Sequence, residues 1–112
     1  MSTAYIGKTE FTGTKPAGLE VADAMVAACL AAAQRGDVSA YYDLGVAFST
    51  GSQGLGCDLI EAHKWFNLAA VAGHEEAQLC RAEVSDEMTA REIAEAQRRA
   101  RHWLSETSRK AA

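Results

Sequence analysis

Proline occurs once and cysteine three times in this 112-residue chain. With almost no proline the commonest helix breaker is missing, and the alanine-dominated apolar set favours helices that approach one another closely. The cysteines, Cys29, Cys57 and Cys80, are odd in number and widely spaced, with no Cys-x-x-Cys pair. That argues against the disulfide framework of a small secreted domain and suits a reducing compartment. Aromatic residues make up only 7%, so the core must be assembled from alanine around a few large rings. No apolar run approaches the roughly 18 residues that span a bilayer. Met1 to Gly18 contains no basic segment followed by an apolar run, so no signal peptide is visible. Cytoplasm is the expected location and no membrane association is expected, although a mature exported chain would share these absences.

What is present describes a helical globule. Hydrophobic residues at 48% against 23% charged argue against disorder of the whole chain. The net charge of -4 is uneven: residues 1–90 carry five basic and twelve acidic side chains, and residues 91–112 carry six basic and three acidic. A basic end on an acidic body can mark an anionic partner, but mixed signs along one helix read better as a solvated face. No nucleic-acid partner is expected.

Residues 1–17 read as a tail, with Thr3, Thr9, Thr12 and Thr14 interrupting any helical pattern, while Tyr5, Ile6 and Phe11 could dock on the body. Pro16 suits the first turn of a helix, where its missing N–H costs nothing. The spacing predicts a helix over Ala17–Gln34 with Val21, Met25, Ala28 and Ala32 on one face, closed by Gly36. A second helix over Val38–Thr50 is capped by Asp37 and carries an Ala40, Leu44, Ala47, Phe48 stripe. A third runs from Leu59 to Ala72. Asp58 and Glu61 have the capping-box spacing, Ala62, Phe66, Ala69, Ala70 and Gly73 share a face, and Trp65 flanks it. A fourth covers Glu75–Val84. A fifth starts at the Thr89–Glu92 capping box, presents Ile93, Ala96, Ala100, Trp103 and Leu104, and frays after Glu106, leaving 107–112 as an unstructured end.

An internal repeat links these helices. Ala32-Ala33-x-x-Gly36-x-x-x-Ala40 recurs as Ala69-Ala70-x-x-Gly73-x-x-x-Ala77, a period that suits one helix–turn–helix unit. Paired alanines permit close helix approach, and the glycine lets the chain turn. With Ala40-Tyr41-Tyr42-Asp43-Leu44-Gly45, Phe48, Gly51 and the run Glu61-Ala62-His63-Lys64-Trp65-Phe66-Asn67-Leu68-Ala69-Ala70, the chain resembles the Sel1-like repeat family, relatives of the tetratricopeptide repeats. The resemblance implies an all-α fold: a short α-α superhelix, or solenoid, of antiparallel helix pairs, about five helices within 18–106. In it 37–77 is the best-matching repeat and 78–106 a degenerate capping repeat. The last unit departs from the family pattern at Arg81, where leucine is wanted, and at Ser85, where an aromatic is wanted. Atypical terminal repeats are the rule because they seal the stack.

No constellation for catalysis stands out, and the chain is not expected to be an enzyme or to carry a cofactor. The Gly51–Gly56 loop lacks the lysine and hydroxyl ending of a phosphate-binding loop and follows a helix. His63, His74 and His102 have no metal-ligand spacing to one another or to the cysteines, so no metal is expected. His63 reads as lying on the outer side of its helix. Cys29 and Cys80 read as small buried hydrophobes, and Cys57 as the exposed thiol.

The resemblance implies a protein-interaction module or adaptor, with the first helix of each pair on a concave face. Ser39, Tyr42, Val46 and Ser49 recur at three- and four-residue steps off the core stripe, and Glu76, Leu79 and Glu83 continue that face. An aromatic anchor, two apolar contacts and acidic flanks suit a basic or amphipathic peptide. The alternative is a small regulatory or homo-oligomeric subunit, possible as a homodimer, in which a second copy covers this face.

Overall fold

In a computed structural model, residues 17–51 and 56–111 are described, with side chains within 24–108. Tyr5, Ile6, Phe11, Pro16 and the side chain of Val21 lie outside that set, as does the centre of the Gly51–Gly56 loop. Five α-helices and no strands make up the described residues: α1 Ala17–Gln34, α2 Val38–Thr50, α3 Leu59–Val71, α4 Glu75–Ser85 and α5 Ala90–Ala111.

Local chemistry sets the helix ends. Asp37 Oδ1 accepts the Ala40 N–H at 3.3 Å and Asp58 Oδ1 the Glu61 N–H at 3.1 Å, each satisfying an orphan donor of a first turn. Thr89 and Glu92 complete a reciprocal box: Thr89 Oγ1 accepts the Glu92 N–H at 3.1 Å, and Glu92 Oε1 accepts the Thr89 N–H at 2.9 Å. The Asp58–Glu61 pair forms only half a box. The Asp58 N–H donates instead to the Phe48 carbonyl at 3.0 Å, which frees Glu61 for Lys64 and Arg99.

The internal repeat is reproduced bond for bond at the helix ends. Gly36 and Gly73 take φ of 83° and 102°. The N–H groups of Gly36 and Asp37 reach the carbonyls of Ala33 and Ala32, and those of Gly73 and His74 reach Ala70 and Ala69, all at 2.9–3.1 Å. This is the Schellman closure, which needs a left-handed residue. Each is followed by a side-chain cap three residues before a buried alanine: Asp37 before Ala40, His74 before Ala77.

Helix α3 is the centre. It packs on α2, α4 and α5, while α1 packs on α2. Its Ala62, His63, Trp65, Phe66, Leu68, Ala69 and Ala70 are all buried, as expected of a helix covered on several sides. At the α2–α3 crossing Gly45 faces the Phe66 ring so closely that a Cβ there would lie 2.5 Å from it. Tyr41 is buried and stacks on Trp65 with centroids 6.0 Å apart. Trp65 in turn meets Trp103 of α5 edge-on at 4.8 Å, with Lys64 Nζ 4.3 Å from the Trp65 centroid. Arg99 of α5 reaches Glu61 at 2.8 Å.

Three expectations need correction. The packed face of α1 does not include Met25 and Ala28, which are exposed: Ala33 is fully buried, and Cys29 packs against the core together with the expected Ala32. In an alanine-rich helix several faces are equally apolar, and the neighbour decides which is used. Trp65, which flanks the Phe66 face in sequence, lies inside the core, in keeping with a packing role. His63 is 3% exposed, because α3 is enclosed on the side that its polar residues suggested was open. Helix α5 continues to Ala111. Past Glu106 its Thr107 hydroxyl donates to the Trp103 carbonyl at 2.9 Å.

Candidate functional site

Tyr42 organises the face drawn from α2 and α4. It projects from α2 beside the Gly45 crossing and is half-buried. Its ring stacks on His74 with centroids 4.5 Å apart and 12° between planes, and tilts against Phe66 at 5.8 Å. His74 is held for that contact by its cap role, Nδ1 accepting the Ala77 N–H at 3.1 Å. The imidazole therefore presents Nδ1 as an acceptor. The Tyr42 hydroxyl and the Cys80 thiol of α4 lie close enough to shift one another's ionisation.

The electrostatics are one-sided. Burial, then Cys80, Glu76 and Asp43, push the Tyr42 hydroxyl up. Burial raises the Cys80 thiol, reinforced by Glu83 and Glu76, with the Tyr42 hydrogen bond opposing. Cys29 is raised by burial, then by Asp43 and Asp37. Both thiols stay protonated at neutral pH, and the charges felt at these three side chains are carboxylates.

The expected site residues divide. Tyr42, Glu76 and Glu83 share one environment through Cys80. Leu79, on the same helix, is 68% exposed, a large apolar side chain without cover. Ser39 is exposed at the start of α2. Val46 instead joins Tyr42 in lining a crevice of about 460 Å³ between α1 and α2. Ser49 is turned inward, its hydroxyl donating to the Val46 carbonyl at 3.0 Å, so it offers a partner less than its position suggests. Sequence reasoning passed over His74, which stacks on the Tyr42 ring, Cys80, which lies near its hydroxyl, and Asp43, which supplies charge at the crevice. A histidine after a helix-closing glycine, in the position that Asp37 occupies one repeat earlier, is the signal that could have marked His74 as a cap.

At the other end, two of the basic residues of α5 are engaged. Arg98 and Arg99 hold Glu95 between them at 2.7–2.9 Å, and these hydrogen bonds pull its carboxyl down to about 2. All three cysteines are free thiols, and Cys57 is exposed as its loop position suggested. Among the described residues no three His, Cys, Asp or Glu side chains group as metal ligands, and no helix is long and apolar enough to cross a membrane. Comparisons with family models, curated proteins and solved structures give no match.

Proposed function

We propose that this chain is a short helical-repeat scaffold of the Sel1-like type, a stack of antiparallel helix pairs. It acts as a protein-interaction module whose α2–α4 face receives a segment of a partner protein in the cytoplasm. The observation that carries this reading is the environment of Tyr42. An aromatic ring is stacked on His74 and packed on Phe66, it feels the charge of Glu76, and the uncovered Leu79 lies on the same helix as Glu76. A preorganised aromatic with an apolar neighbour and charge of one sign has the makings of a binding hot spot. The repeated Schellman closures support the stacked arrangement, since equal helix ends turn the chain in the same way twice. The reading involves no catalytic step and no cofactor.

The test uses a partner recovered by affinity capture from native lysate. Leu79→Asp and Glu76→Lys alter exposed positions, so they should weaken the complex while the unfolding midpoint holds. Tyr42→Ala is a poorer probe, because the ring also packs on Phe66. Unchanged affinity in both surface variants would remove the face from consideration. A homo-oligomeric subunit is the second reading, favoured by the exposure of Leu79 together with Val71. A concentration-dependent mass in sedimentation would support it.

A further inference from the structure

The crevice between α1 and α2 opens beside the Tyr42 face, and its walls are apolar: Met25, Val26 and Cys29 from α1, with Tyr42 and Val46 from α2. Asp43 is the charged residue among the described residues that line it. At about 460 Å³ the space lies within the range of ligand pockets. Met25 stands half out of the packing at its edge, so one wall can close over an inserted group, and methionine adapts well to that role. The charges that reach Cys29, on one wall, are those of Asp43 and Asp37, and those that reach Tyr42, on the other, include Glu76 and Asp43. An apolar slot with a carboxylate in its lining selects against anionic groups and for an apolar group carried next to a cation.

We infer that this crevice takes an aliphatic side chain from a basic peptide segment, with a neighbouring Lys or Arg of that segment on Asp43. The inference rests on the interaction-module reading and gives it an anchor point: an apolar residue seats between the helices while the rest of the segment runs on across Tyr42. A buried apolar anchor beside a single ion pair supplies both affinity and register, as in other helix-lined peptide sites.

Cys29 makes the crevice directly observable, because its thiol lines the wall and Cys57, exposed elsewhere, serves as an internal reference. The full chain is alkylated with iodoacetamide at mildly alkaline pH, and the rate at each cysteine is read by peptide mass spectrometry. The probe is a synthetic twelve-residue peptide with one leucine flanked by lysines. Its affinity is measured first by fluorescence anisotropy. At about ten times Kd, roughly one-eleventh of the chain is free, so Cys29 should slow by about tenfold while Cys57 keeps its rate. Replacing the leucine by serine should abolish protection, and replacing the lysines by glutamate should abolish binding. Asp43→Asn should weaken the lysine peptide by up to roughly fivefold, the range of an exposed ion pair. Equal protection by the serine peptide would overturn the apolar anchor. No binding, or binding that leaves Cys29 as reactive as before, would overturn the crevice site. In the second case, loss of that binding in Leu79→Asp would keep the wider α2–α4 face, so the two readings fail separately.

Discussion

Replacing Gly45 by alanine sets two well-known effects against each other. Inside an exposed helix the change should stabilise, because alanine exceeds glycine in helix propensity by about 1 kcal/mol. Gly45 is buried in α2, however, and a Cβ there would lie 2.5, 2.6 and 2.9 Å from Cδ1, Cε1 and Cγ of Phe66. Carbon atoms in contact prefer about 3.5–4.0 Å, so the overlap is about 1 Å. The Phe66 ring cannot swing clear, being 2% exposed with Tyr42 tilted against it. The helices must separate or the ring must leave its rotamer, and overpacking of this kind costs about 1–3 kcal/mol. Net of the propensity gain, Gly45→Ala should destabilise by up to about 2 kcal/mol, a fall of several degrees in Tm. Gly45→Leu should cost more. The assay is urea unfolding of both variants and of Gly45→Ala combined with Phe66→Leu, in which the smaller side chain returns the space. The double variant should be more stable than the sum of the single changes, with a coupling of about 0.5–3 kcal/mol. A Gly45→Ala variant that gains about 1 kcal/mol would refute the close crossing.

Trp65→Ala should cost about 3–5 kcal/mol, because it empties the contact shared by Tyr41, Trp103 and Lys64; a fully exposed Trp65 emission in the native protein would count against this. Burial and the nearby Arg81 lower the His63 pKa in the folded state. Both states are neutral there above pH ~6.5. As pH falls below that value the unfolded chain takes the proton while the folded chain resists it, so stability should decline until the folded-state pKa is passed. His63→Gln should flatten the decline between pH 7 and 5, and parallel pH profiles for the two proteins would contradict the assignment. Ending the chain at Met88 removes Ala96, Ala100 and Trp103 from the α3 surface and should cause aggregation or loss of cooperative unfolding. A soluble, cooperative fragment would make α5 an appendage.

Features written in short-range chemistry were legible from the sequence, and features that depend on a neighbour were not. The bounds of α1 and α2 follow from the caps and from Gly36 and Gly51, and the Thr89–Glu92 box places the start of α5. The 37-residue repeat carried through to matching hydrogen bonds at Gly36 and Gly73. The burial of His63 was illegible because histidine and its Lys64 and Asn67 neighbours look like a solvated surface, and only the enclosure of α3 removes that choice. The face of α1 was misread for the opposite reason, since its many alanines allow several faces. Of the candidate site, Tyr42, Glu76 and Leu79 could be placed by helical spacing alone. The His74 stack, the approach of Cys80 to Tyr42 and the crevice at Met25 and Cys29 involve separate helices, and no pattern within one helix encodes them.

Hydrogen–deuterium exchange of the full chain, with and without its captured partner, tests the proposed seat of that partner across α2 and α4. A partner bound there should slow exchange across 38–50 and 75–85 and leave α5 unchanged. Protection confined to 90–111, around Arg98 and Arg101, would contradict it and move the binding surface to the basic end of the molecule.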